Sequence, residues 1–168
     1  MEQIVKNKVI SMGGSSYVVT PDGEQKYKVK GKVFSITKKK WLCDLEGNKL
    51  FLIRNKYFRL FTNKALIYNN EKEKIAYVKT HMFSIKKRLT VEGYGKEIII
   101  DNQKISLGFH YNILVDGEEI GTISRDFKII AIRDQFNVTA HKEEDAPLLV
   151  ALTIAIDNIG DNNRNQHD

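Results

Sequence analysis

The chain has 168 residues, 42% hydrophobic and 29% charged, which is enough for one domain with a sizeable core and too balanced for wholesale disorder. A single cysteine, Cys43, excludes an internal disulfide and fits a reducing cytosol. The opening MEQIVKNKVI lacks the apolar core of a signal peptide, and no stretch reaches the ~18–20 apolar residues of a spanning helix. Of the 27 Lys/Arg, 21 fall in residues 1–100 against nine Asp/Glu, so the first part carries a positive excess that suits an anionic partner.

In chain order, a strand is predicted over 4–11, then three strand–turn–strand units. The first runs 17–20, Pro21-Asp22-Gly23, 26–34. The second runs 41–45, Glu46-Gly47-Asn48, 50–58, and the third 66–68, Asn69-Asn70, 75–83. Their turns use residues that tolerate left-handed backbone or pre-set a reversal, so each unit reads as a β-hairpin. Strand candidates follow at 89–92, 98–101 and 104–107. A fourth hairpin spans 111–115, Asp116-Gly117 and 120–127, and a last strand covers 134–139. The total is roughly twelve strands.

The units form a repeat. Phe34, Phe58 and Phe83 recur at 24 and 25 residues, each two positions after a basic side chain: Lys32, Lys56, His81, and Arg125 before Phe127 in the fourth unit. The run PLLVALTIAIDNI, 147–159, is the one convincing helix and is apolar almost all round, so it must be buried. A meander of twelve strands avoids open edges by closing, and a barrel that wide needs something in its middle. At 1.5 Å per residue this helix spans ~20 Å, about one barrel height. Leu148, Leu149, Leu152 and Ile156 are its expected core side chains. Asp145 is expected to cap it, Pro147 to sit in its first turn and Gly160 to end it. The predicted fold is mainly β: a closed antiparallel barrel around a buried C-terminal helix. The barrel is expected to form one domain over 1–160, with a disordered polar tail over 161–168.

Gly31-Lys32-Val33-Phe34-Ser35, Val91-Glu92-Gly93-Tyr94-Gly95, Ser124-Arg125-Asp126-Phe127 and the LTIAID of 152–157 carry a resemblance. Over about residues 3–160 the chain resembles the LURP-one-related family, the bacterial branch of the tubby C-terminal-like superfamily. The resemblance implies a twelve-stranded barrel wrapped around a hydrophobic C-terminal helix. It also implies kinship with phosphoinositide-binding tubby proteins and with phospholipid scramblases. It brings no general enzymatic activity and no cofactor, and no lipid-binding residue is carried over from it.

Constellations for catalysis are missing. His81, His110, His141 and His167 share no metal-type spacing with each other or with Cys43, which reads as core filler. Asp22-Gly23 and Asp116-Gly117 are turns without the alternating ligands of a calcium loop, and Gly93-Tyr94-Gly95 lacks the third glycine of a dinucleotide site. The Asn137–Thr139 triplet is a chance match to a glycosylation acceptor. The positive signal is electrostatic. In 26–33 the period of two puts Lys26, Lys28, Lys30 and Lys32 on one strand face and Tyr27, Val29 and Val33 on the other. Repeat-equivalent positions add Arg54, Lys56, Lys79 and His81, and the connections add Lys38-Lys39-Lys40 and Lys86-Lys87-Arg88.

Together these predict a basic outer patch for the phosphates of an anionic, phosphoinositide-like phospholipid headgroup, or for another polyanion, on a non-catalytic, cytoplasmic, membrane-peripheral domain. Nucleic acid is disfavoured because no aromatic platform recurs at base spacing. Two other readings stay open: a scaffold domain meeting an acidic protein, and an enzyme whose site is built from scattered loop residues.

Overall fold

The computed structural model describes residues 5–12, 15–31, 39–56, 64–80, 89–92, 98–103, 108–126 and 135–164, some of the strand residues by backbone alone. Among the described residues twelve strands run β1 (Val5–Met12), β2 (Ser15–Val19), β3 (Gln25–Gly31), β4 (Lys40–Cys43), β5 (Lys49–Lys56) and β6 (Lys64–Asn69). They continue as β7 (Lys74–Thr80), β8 (Leu89–Glu92), β9 (Ile98–Gln103), β10 (Gly108–Val115), β11 (Glu118–Asp126) and β12 (Gln135–Ala140). A 3-10 turn, Glu143–Asp145, leads directly into helix α1, Ala146–Arg164. The expected strand over 104–107 lies outside the described residues.

All ladders are antiparallel and join one sheet in the order β8-β7-β6-β5-β4-β3-β2-β1-β12-β11-β10-β9. The terminal strands β8 and β9 lie beside each other, with Cα atoms within 8 Å, but no ladder joins them among the described residues.

The 24-residue repeat has a physical basis in its turns. Thr20, Asp44 and Asn69 begin the three loops, and each accepts on its backbone oxygen the N–H of the residue three on, Gly23, Gly47 and Lys72. Those three residues have φ of 89°, 97° and 67°. The side-chain oxygen of each opening residue also accepts the N–H four on, at 3.0 Å in Glu24, 2.8 Å in Asn48 and 2.8 Å in Glu73. A β-bulge beside each loop takes up the extra residue: the ladders shift register at Val18/Val19, Leu42/Cys43 and Ile67/Tyr68. The fourth hairpin is not a copy. Asp116 and Gly117, with φ of 52° and 84°, form a two-residue turn of the mirror-image type.

The inner face of the sheet holds Val18, Leu42, Ile53, Ile67, Ile113 and Ile123, all fully buried. They close on α1, whose Leu149, Val150, Leu152 and Ala155 are equally inaccessible and whose Ile159 is buried. The helix packs against β5, β6 and β7 from one part of the strand order and β11, β12 and β1 from the other, so the sheet wraps it. Leu148 and Ile156 also pack on the core, Leu148 half-exposed at the first turn. At Gly121 a Cβ would run into the Thr139 carbonyl and the Leu149 side chain, so only glycine lets β11, β12 and the helix approach there.

One expectation about the helix ends is corrected. Asp145 closes the 3-10 turn at the position directly before α1, its N–H donating to the Lys142 carbonyl at 3.2 Å. Gly160 does not end the helix, which continues to Arg164 and claims the first part of the expected tail. An interior glycine costs only about 1 kcal/mol, which an already anchored helix absorbs, whereas a stop needs the left-handed backbone as well.

Candidate functional site

Strand alternation sends every second side chain of β3–β7 outward, and the ladders align them in rows. One row crosses five strands: Lys30 stands opposite Trp41, Trp41 opposite Leu52, Leu52 opposite Tyr68, and Tyr68 opposite Lys74. Lys30 and Lys74 are exposed at its ends, with three half-buried apolar side chains between them. Below it Arg54 pairs with Leu66 and Leu66 with Tyr77, and below that Lys56 pairs with Lys64 and Lys64 with Lys79. Above it lie Lys28, Cys43 and Lys49. With ~7 Å between rows and ~4.8 Å between strands, the face measures about 20 Å each way. Across β3–β7 its rows hold no acidic residue. Glu92, on β8 beyond Tyr77, is the first reached.

Two rings on this face lie under lysines. The Lys49 ammonium sits 4.8 Å from the centre of the Trp41 ring, and that of Lys64 sits 5.0 Å from Tyr77. Lys28 donates to the Leu45 carbonyl at 2.7 Å, so its ammonium is committed to the β4–β5 turn. Further acids lie in the hairpin tips. Asp44 accepts the N–H groups of Gly47 at 2.7 Å and Asn48 at 2.8 Å, and these bonds, the Asn48 side-chain amide above all, hold its carboxyl below the usual range.

A second basic group faces inward. Arg125 is 6% exposed and sits 4.0 Å from Asp157 on α1, which also meets Lys40 at 3.7 Å. The guanidinium stacks 4.8 Å from the centre of the Phe136 ring. Asp157 thus ties β4 to β11 across the centre of the sheet. Beside it Asn55 donates from its side-chain amide to the Asn158 carbonyl at 3.1 Å, and both asparagines are buried.

At the other end of α1, a cleft of about 740 Å³ is floored by Phe51, Ile98, Val115 and Leu148 and rimmed by Asp116, Glu118, Glu144 and Asp145. Lys142 on that rim pairs with Glu118 at 3.5 Å, and this carboxylate, with help from Asp145 and Glu144, raises the lysine pKa. Among the described residues no group of three His, Cys, Asp or Glu could hold a metal ion, and no helix is long and apolar enough to cross a membrane.

The family model described as LURP-one-related matches residues 1–157. The chain belongs to that family. A crystal structure of an Arabidopsis thaliana protein is similar to this LURP-one-related chain in fold, with a TM-score of 0.60 and 12% identity over 95% of this chain and 93% of that one. No curated protein matches it significantly.

Among the basic residues expected from the sequence, the structure of this LURP-one-related domain brings Lys28, Lys30 and Arg54 to the outer face. It places Lys56 and Lys79 there by register. Two are less available than expected: Lys28 is bound to the turn, and Arg54 is half-buried with an Nε that finds no hydrogen-bond partner. Lys32, His81, Lys86, Lys87 and Arg88 lie outside the described residues. Lys40 is corrected from the outer patch to the core, because its register partner Ile53 points inward and Asp157 is there to receive it. Cys43 is 1% exposed but stands outside the central cluster, in the row of Lys28 and Lys49.

Sequence reasoning missed Lys49, Lys64 and Lys74, each at the first position of a strand, where only cross-strand register reveals the row. It also missed Arg125 as an inward residue, although alternation from the buried Ile123 puts it on the core side.

Proposed function

We propose that this protein is a non-catalytic domain that docks on anionic phospholipid through the outer face of β3–β7, with its sheet closed between β8 and β9 into a twelve-stranded barrel. The observation that carries the docking is the set of acid-free rows on that face, in which Lys30, Lys49, Arg54, Lys64 and Lys74 flank half-buried aromatic side chains. Closure is supported by the adjacency of β8 and β9 and by a helix that touches both parts of the strand order. A core filled by α1 supports a role at the surface in place of chemistry in the interior.

At ~1 kcal/mol for each basic side chain near an anionic leaflet, five give about 5 kcal/mol, a sub-millimolar and reversible attachment. Co-sedimentation with phosphatidylcholine vesicles, with and without phosphatidylserine, tests it. Binding should require the anionic lipid and weaken steeply with salt. Equal recovery with neutral vesicles, or none with either, would sink the proposal. A protein caught instead by an acidic polypeptide at the same salt would move the reading to the scaffold alternative.

A further inference from the structure

We infer that docking is side-on and partly apolar: Trp41, at the centre of the basic face, enters the headgroup layer as Lys49 leaves its ring for a lipid phosphate. This rests on the reading above and goes further, because charge alone needs no contact from the ring. A sheet whose inner face is already filled by α1 has no internal use for Trp41, Leu52, Leu66, Tyr68 and Tyr77 on its outside, yet they form a continuous half-buried strip there.

What partly covers the strip is the lysines themselves, Lys49 over Trp41 and Lys64 over Tyr77. A cation over a ring at an exposed site is held only weakly, so a phosphate readily draws it off and uncovers the ring. Trp and Tyr then sit where they are favoured, at the membrane–water boundary.

Approach by the hairpin tip is disfavoured. Leu45 there is 45% exposed, but Asp44 and Glu46 flank it and would meet an anionic surface first. The rows expose no such acid, so the strands lie flat on the membrane. A flat face of this kind reads surface charge density together with an apolar boundary, and does not select one headgroup.

Trp41 is the only tryptophan in the chain, so the unmodified protein reports on the contact. With vesicles containing phosphatidylserine its emission should shift to the blue and be quenched by lipids brominated in the upper acyl chain. Heparin, a polyanion without an interface, should do neither. Sedimentation without shift or quenching would overturn the insertion while leaving anionic docking intact, and failure to sediment would overturn both. A heparin response equal to that of vesicles would overturn the membrane as the partner.

Trp41→Lys separates charge from insertion. Charge alone predicts about fivefold tighter binding from one more lysine, whereas loss of the inserted ring predicts about tenfold weaker binding. If that variant fails to fold, quenching of the native protein decides the matter.

Discussion

Lys40 and Lys64 each open a β-strand, two ladders apart, and they end up on opposite sides of it. Lys40 reaches into the centre, where Asp157 meets it at 3.7 Å and Arg125 completes the cluster. Lys64 points outward and lies over Tyr77, in a row with Lys56 and Lys79. The inner basic group has a fixed carboxylate and is largely spent on holding the helix to the wall. The outer group has aromatic rings beneath it and no acid in its rows across β3–β7. The difference shows that basic character in this chain serves two ends, and that strand parity together with the reach of Asp157 decides which.

The comparison breaks most violently at the centre. Leu152 is wholly inaccessible at the middle of α1, so Leu152→Asp would bury an unpaired charge at a cost of about 5 kcal/mol or more. That is on the order of a domain's entire net stability. Loss of the near-UV circular dichroism and of a cooperative thermal transition is expected. A folded, soluble variant would refute the helix as the core.

Asp157→Ala tests the inner cluster directly. It leaves Arg125, 6% exposed, facing Lys40 without their common carboxylate, and should cost about 3 kcal/mol, the low end for a broken buried pair because Asp157 retains some solvent contact. Chemical denaturation would read it. Combining it with Arg125→Leu should restore part of the loss, since the more deeply buried charge is then gone and only Lys40, 18% exposed, is left without the carboxylate. No recovery would mean that the pair is not what couples these residues.

How far such contrasts could be read beforehand depends on what each needs. The hairpins were legible because Pro21-Asp22-Gly23, Glu46-Gly47-Asn48 and Asp116-Gly117 carry turn chemistry locally, and the helix because its apolar run has no polar face. The inequality of the fourth hairpin was not, since a two-residue turn and a longer loop differ in backbone geometry and hardly in composition, and a bulge accompanies both. Lys40 looked like one of three consecutive surface lysines, and nothing nearby in sequence announces Asp157, more than a hundred residues on. Lys49, Lys64 and Lys74 each look unremarkable alone. Only the ladders, shifted by a bulge in every unit, bring them beside Trp41, Tyr77 and Tyr68. Local signals were readable, and long-range register was not.

A smaller effect sharpens the inner half. Burial pushes the Tyr111 phenol up to about 12, against 10.0 for an unperturbed tyrosine. The folded state therefore favours the neutral ring. This stability is fully present below pH 10 and is lost as pH climbs from 10 towards 12, by about 2 kcal/mol. Stability measured across that window should fall, and Tyr111→Phe should flatten the fall. An unchanged slope would show that other groups control the alkaline limb.

The outer half predicts almost no change in stability and a large change in binding. Lys30 and Lys74 are exposed at the two ends of the Trp41 row and lie outside the core cluster. Reversing both to glutamate should move the unfolding free energy by no more than about 0.5 kcal/mol. At the membrane the same pair of changes replaces two attractions with two repulsions, roughly 4 kcal/mol in all, which takes a sub-millimolar attachment below detection. If the double variant instead lost stability on the scale of Asp157→Ala, the outer lysines would be structural and the contrast with Lys40 would collapse. Unchanged stability with unchanged vesicle binding would leave the contrast standing but remove the membrane from it.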